Sequence, residues 1–334
     1  MRVAVCSAQP YDRRYFLAAN RDIGHDLVFF DSHLCEETQR MVAGFPAVCV
    51  FINDTVSKTV LQTLAEQGAS LIALRSAGFN HVDIRAAIDL GLHIVRVPAY
   101  SPHSVAEHSV ALILSLNRHL HHSYNRVRSG NFSIQGLLGF EMRGKTVGII
   151  GTGRIGAIVA KILHGFGCHL VAHDPQQNSD CINLGVEYVS LKKLYASSDI
   201  ITLHCPLNMK THHLIDTKAV TSMKQGVMLI NTSRGAVIDT MAVINGLKSS
   251  KIGYLGLDVY EQEGDLFFQD LSNEIIQDDV FQRLLTFPNV LVTGHQGFFT
   301  DEALSSIART TLQNISAFEI DGVCQNEVTL ELLQ

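Results

Sequence analysis

Residues 146–174 constrain the fold of this chain more than any other stretch. An apolar run, Thr146–Ile150, enters the glycine loop Gly151-Thr152-Gly153-Arg154-Ile155-Gly156. A helix-forming segment, Ala157–Leu163, leaves the loop, and a second apolar run, His169–His173, ends at Asp174. Glycine-rich turns are common, but strand, loop, helix, strand and terminal acid in this order make the βαβ unit that binds a dinucleotide. Gly151 permits a tight turn, Gly153 lets the backbone approach a pyrophosphate, and Gly156 lets the helix pack on the strand. The helix N-terminus then offers unpaired N–H groups and a partial positive charge to the phosphates. Asp174 can accept hydrogen bonds from the ribose hydroxyls and would repel a 2′-phosphate, which favours NAD over NADP. Arg154 reaches either a phosphate or solvent.

The same rhythm runs along the whole chain. Apolar runs at Val3–Cys6, Leu27–Phe30, Ala47–Phe51, Leu71–Leu74 and His93–Val97 predict strands, with helix-forming segments such as Val56–Gly68 between several of them. A long helix is expected over Ser101–Ser129, with Pro102 in its first turn and Ser104 and Glu107 at capping-box spacing. A second series follows at Thr146–Ile150, His169–His173, Ile200–His204, Val227–Asn231, Tyr254–Leu257 and Val290–Thr293. A last helix over Asp301–Glu319 precedes a polar tail. Continuous apolar strands alternating with helices imply parallel sheets covered on both faces. For 334 residues, two doubly wound α/β domains are expected, the second a Rossmann dinucleotide-binding domain. The boundary falls near Tyr100, where Pro98 and Pro102 bracket a turn.

Net charge and cysteine usage narrow the partners. A formal charge of −6 argues against nucleic acid. The seven cysteines are odd in number, form no C-x-x-C pair and lie mostly in or beside apolar runs, which suits free thiols in a reducing, cytoplasmic compartment. The N-terminal residues read as a strand rather than a signal peptide. The most lipid-like segment, Val105–Leu116, is interrupted by Glu107 and His108 and is too short to span a bilayer. No metal site is expected. His119, His121 and His122 do not share one helix face, and His212-His213 has no ligand-spaced carboxylate or cysteine.

Ligands of open parallel sheets bind beyond the carboxyl ends of the strands. Three groups follow the later strands: Arg234 after Val227–Asn231, Glu261 and Glu263 beyond Asp258 after Tyr254–Leu257, and His295 after Val290–Thr293. A cation, a carboxylate and an imidazole suit the reduction of a 2-keto acid. Arg234 can grip the substrate carboxylate with two parallel hydrogen bonds. His295 can supply the proton, and a neighbouring carboxylate favours its charged form. NADH supplies the hydride. Spacing alone does not choose between Glu261 and Glu263. Cys205 and Ser233 lack the base partners of nucleophiles.

These residues resemble the D-isomer-specific 2-hydroxyacid dehydrogenase family, over nearly the whole chain. The matching stretches are the glycine loop, Asn231-Thr232-Ser233-Arg234-Gly235, Leu257-Asp258-Val259-Tyr260-Glu261 and Gly294-His295. Leu74–Asn80, Val97–Pro102 and the long segment Glu263–Pro288 are typical of the branch of bacterial fermentative D-lactate dehydrogenases. The resemblance implies that pyruvate is reduced to D-lactate, with larger 2-keto acids as the alternative substrates. An NAD-sensing protein without turnover is the rival of another class. It also implies that Arg234 binds the carboxylate, His295 is the acid/base and Glu263 pairs with His295. Arg154 and Ile155 would line the pyrophosphate site beside Gly151, Gly153 and Gly156, with Asp174 on the ribose. Cys205, Pro206, Thr211, Thr232, Ser233 and Asp258 would also contact cofactor, and Arg75, Ala77, Gly78 and Tyr100 the substrate. Residues 1–100 with 299–334 would form a discontinuous substrate-binding domain, 101–298 the NAD-binding domain, and the long helix a homodimer interface. Gly297 stands where the family commonly has Ala, and Ala77 where this branch commonly has Val, so a roomier pocket is expected.

Overall fold

A computed structural model describes residues 1–333. The chain forms two compact units, Met1–Ser101 with Phe299–Gln334, and Pro102–Phe298.

The first unit holds five parallel strands, β1 (Arg2–Val5), β2 (Asp26–Phe29), β3 (Ala47–Val50), β4 (Leu71–Leu74) and β5 (His93–Arg96), in the order β2-β1-β3-β4-β5. Successive side chains point to opposite faces, so each strand feeds two cores. Val48, Val50, Ile72 and Leu74 meet Val60, Leu61 and Leu64 of the helix Lys58–Glu66. Ala47, Cys49, Leu71 and Ala73 meet Phe16 and Ala308, Leu312 and Ile315 of the helix Asp301–Asp321. The polar tail is mostly exposed, with one anchored residue. Beyond Gly322, which ends the helix in a left-handed conformation, Val328 is buried, and its N–H donates to Ile94 O at 2.7 Å.

Charge is also buried in this unit. Asp54 accepts hydrogen bonds from Ser7 Oγ (2.7 Å), Leu34 N (2.6 Å) and Phe51 N (2.6 Å). Arg75, at the end of β4, is 1% exposed. Its Nη2 donates to Ser7 O at 2.8 Å, its Nε lies 3.4 Å from Asp12, and the guanidinium covers the Phe51 ring. Burial opposes its charge, and the adjacent Asp12 keeps it protonated. The substrate contact expected of Arg75 is therefore corrected: its side chain faces the core and ties the β4 end to the Ser7 and Asp12 segments.

The second unit holds seven parallel strands, β6 (Thr146–Ile150), β7 (His169–His173), β8 (Glu187–Tyr188), β9 (Ile200–Leu203), β10 (Val227–Asn231), β11 (Ile252–Leu257) and β12 (Val290–Val292). Their order, β12-β11-β10-β9-β6-β7-β8, reverses direction between β6 and β9, as in a Rossmann sheet. The two-residue edge strand β8 has no apolar run to announce it. The long helix breaks into Pro102–Asn117 and Leu120–Arg128, because His119 takes a left-handed φ of 49°. Ser104 lies buried inside the first helix, not at its cap.

Removing the Asp54 carboxylate strips three buried donors of their acceptor. Asp54→Ala is expected to destabilise the first unit by about 3–5 kcal/mol. Urea unfolding of the full chain checks this, and a loss below about 1 kcal/mol would contradict the assignment.

Candidate active site

The glycine loop sits where the second sheet reverses. Gly151 has φ 92°, and a Cβ there would lie 2.6 Å from Cys205 N, so only glycine lets the loop touch the chain leaving β9. A Cβ at Gly156 would collide with the Gly151 carbonyl oxygen. At Gly153 a Cβ would meet nothing within 4 Å, and no side chain caps the helix Arg154–Gly165 that starts there. Beside it lies a cavity of about 360 Å³, lined by Thr152, Gly153, Asp174, Gln176, Gln177, Asn178 and Ser179. An open glycine, an uncapped helix N-terminus and an acid at the strand end fit a dinucleotide. The Asp174 carboxylate is already oriented: Oδ2 accepts from Thr152 N (2.7 Å) and Oδ1 from Gln176 N (2.8 Å).

Other predicted cofactor residues fall around the same strand ends. Cys205 is buried, and burial pushes its thiol up to about 11, far from a thiolate nucleophile. Thr211 donates to Pro206 O at 2.5 Å and closes the loop between them. The Thr232 hydroxyl pairs with Ser109 Oγ at 2.8 Å. Ser233 donates through N and Oγ to Asn231 Oδ1, and Asn231 Nδ2 donates to Arg234 O. Asn231 thus builds the turn that presents Arg234. Gly235 completes that turn, since a Cβ there would collide with the Tyr260 carbonyl.

The structure distinguishes the two glutamates that spacing leaves open. Glu263 Oε1 lies 2.8 Å from His295 Nδ1, and its Oε2 accepts from Tyr260 N at 2.9 Å. Glu261 faces another histidine: its Oε1 is 2.6 Å from His213 Nε2, and Oε2 accepts from Thr240 Oγ1 at 2.8 Å. Burial would raise the Glu261 carboxyl, but hydrogen bonds from His213 and Thr240 outweigh burial and hold it below the usual range. His213, which had no partner in sequence, has one here. No local spacing announces it, because 48 residues separate the pair.

Asp258, one of the expected cofactor residues, also binds groups within the protein. Its carboxylate is buried and accepts from Thr293 Oγ1 (2.5 Å), Gln296 N (2.9 Å) and Gly297 N (2.8 Å), with His108 Nε2 at 3.1 Å. Burial raises its carboxyl, but the His108 and Thr293 hydrogen bonds prevail and hold it below the ordinary value. These donors flank His295, whose φ of 53° is left-handed. Asp258 therefore anchors the loop that carries the imidazole. His108 and Thr293 were not identified from sequence, since nothing local marks either one. Phe268 and Phe298 lie beside the His295 ring, with centroids 5.8 and 6.5 Å away.

A Rossmann sheet with a carboxylate-paired histidine and an arginine beyond its strand ends defines an NAD-dependent oxidoreductase. Residues 110–297 match the NAD binding domain of the D-isomer specific 2-hydroxyacid dehydrogenases. The chain is 53% identical to the D-lactate dehydrogenase of Escherichia coli K12 over 98% of its own length and 100% of that protein. The apo-structure of D-lactate dehydrogenase from Escherichia coli superposes with a TM-score of 0.90 at 50% identity, covering 98% of this chain and 100% of that one. D-lactate dehydrogenase from Aquifex aeolicus, complexed with NAD and lactic acid, gives 0.85 at 33% identity, covering 95% of each. The chain belongs to the D-isomer-specific 2-hydroxyacid dehydrogenase family.

Gly297 does not bear out the expectation of a roomier pocket. A Cβ there would point at Asp258 Oδ2 (2.9 Å) and His108 Cδ2 (3.5 Å). Gly297→Ala is expected to leave the kcat/KM ratio between phenylpyruvate and pyruvate within about twofold, since the methyl group meets the anchor rather than substrate. A ratio shifted toward pyruvate by tenfold or more would return Gly297 to the pocket wall.

Proposed function

We propose that the enzyme reduces pyruvate to D-lactate with NADH. The observation that carries this reading is the His295–Glu263 pair on the same strand-end face as Arg234. Glu263 accepts the hydrogen bond of Nδ1–H, so Nε2 is the nitrogen that exchanges a proton with substrate. The guanidinium of Arg234 binds the carboxylate of the keto acid in a bidentate grip, which presents C2 and its oxygen. When bound, NADH supplies the hydride to C2. His295 then delivers its proton to the oxygen, and the resulting imidazole remains paired with Glu263. The D configuration is supported by the names of the relatives that share nearly the full chain.

In this reading Gly151, Gly153, Arg154, Ile155 and Gly156 hold the pyrophosphate, Asp174 the adenosine ribose, and Cys205, Pro206, Thr211, Thr232 and Ser233 the rest of the cofactor. The first unit supplies substrate contacts from Ala77, Gly78 and Tyr100. The enzyme works as a homodimer in the cytoplasm. Supporting the dimer, Tyr124, Phe132, Ile134 and Leu138 of the second unit are 61–89% exposed along one short stretch, apolar side chains that a second copy would cover. Supporting the compartment, all seven cysteines are free, and among the described residues no helix is long and apolar enough to cross a membrane.

NADH oxidation is expected with pyruvate, and chiral analysis is expected to give the D product. Failure to turn over pyruvate, phenylpyruvate and branched 2-keto acids alike would overturn the reading. Arg234→Lys is expected to cost about 3 kcal/mol or more in kcat/KM, because a single ammonium cannot reproduce the fork. Near-normal kinetics would remove Arg234 from the role.

A further inference from the structure

Asp174 does not stand alone at the adenosine end of the cavity. Its Oδ2 takes the Thr152 N–H (2.7 Å) and, more loosely, the Thr152 hydroxyl (3.3 Å). The Thr152 hydroxyl accepts from Tyr188 OH at 2.8 Å, and Tyr188 OH accepts from Asn178 N at 2.8 Å. Asn178 Nδ2 donates to Thr152 O at 2.9 Å. Tyr188 lies on the edge strand β8, and Thr152 is 2% exposed inside the glycine loop.

The directions in this chain are dictated. The carboxylate can only accept, so the Thr152 hydroxyl must spend its one proton on it. Tyr188 then has to donate to the Thr152 oxygen, and its own oxygen is left to accept the Asn178 N–H. Three donors in series run one way and end on one carboxylate oxygen, an arrangement in which each bond polarises the next. The outcome is a carboxylate held in one orientation beside the cavity. In that orientation the lone pair left on Oδ1 accepts a ribose hydroxyl, and the charge stands at a fixed short distance from any 2′-phosphate. The cavity lining contains no lysine or arginine among the described residues to compensate such a phosphate.

We propose that Tyr188 is a positioning residue for cofactor choice: through Thr152 it fixes the Asp174 carboxylate, and this fixed carboxylate sets the preference for NADH over NADPH. The proposal rests on the reading of Asp174 as the ribose ligand. Without the Tyr188 hydroxyl the Thr152 proton is free to turn elsewhere, and the carboxylate keeps only its bonds to the Thr152 and Gln176 N–H groups, a looser hold beside a phosphate.

The test is direct binding, by fluorescence titration of NADH and of NADPH to the full chain, together with steady-state kinetics. Tyr188→Phe is expected to raise the Kd and KM for NADH about fivefold, the size of one neutral hydrogen bond, with kcat little changed. The Kd for NADPH is expected to hold steady or fall, so the preference shrinks at least fivefold. Thr152→Val is expected to reproduce this, Thr152→Ser to retain the wild-type preference, and Tyr188→Phe in the Thr152→Val background to add nothing. A merely structural tyrosine would weaken both cofactors equally or lower thermal stability alone, and either result overturns the proposal. Asp174→Ala separates the two levels. If Asp174→Ala leaves the preference intact, the ribose reading itself fails. If it abolishes the preference while Tyr188→Phe does not alter it, only the relay fails.

Discussion

The carboxylate of Asp258 gathers His108 from a helix, Thr293 from the end of β12, and the backbone N–H groups of Gln296 and Gly297. The last two flank a histidine in a left-handed backbone conformation, which a non-glycine residue keeps only when its surroundings enforce it. A buried carboxylate with four donors enforces it well, since losing the geometry would leave a charge in the interior. The imidazole is then aimed from two sides. Asp258 fixes the backbone beneath it, and Glu263 fixes the ring through Nδ1. Neither group has to move for a proton to pass through Nε2.

Much of this was legible in the sequence, for identifiable reasons. Strands buried on both faces must be continuously apolar, so β4 and most of β6 and β10 show as apolar runs. The glycine loop is legible because each glycine answers a steric demand that no other residue meets. What was hidden follows from the opposite condition. β8 is two residues long, and its importance lies in one hydroxyl. The break at His119 depends on a single φ angle, with no glycine or proline to advertise it. The family resemblance places Arg75 at the substrate, and only the positions of Ser7, Asp12 and Phe51 show that its side chain lies in the core.

The site residues divide the same way. Arg234 and His295 follow strands closely, so strand-end logic finds them, while for the carboxylate it narrows the choice only to Glu261 or Glu263. Asp258 follows a strand too, but its partners within the protein, Thr293 and the Gln296 and Gly297 N–H groups, could not be read from that position. Sequence position says that a group emerges at the active face, but hydrogen-bond partners decide which way it turns. Glu261 and Glu263 show this most simply: two residues apart, they hold different histidines, one arriving from position 213 and one from 295.

The chain order of the first unit has a consequence for synthesis. Residues 1–101 emerge from the ribosome first, yet one face of their sheet is covered by Ala308, Leu312 and Ile315, and Val328 joins the core on the other. Translation of 102–298, at about 5–20 residues per second, takes on the order of ten to forty seconds. During that interval the nascent five-stranded sheet keeps part of one apolar face uncovered, with Phe16 and its neighbours on the rest, while the second unit can already close around its own seven strands. The unit begun first is the unit completed last, and its early half is the part of the newborn polypeptide with most need of a chaperone.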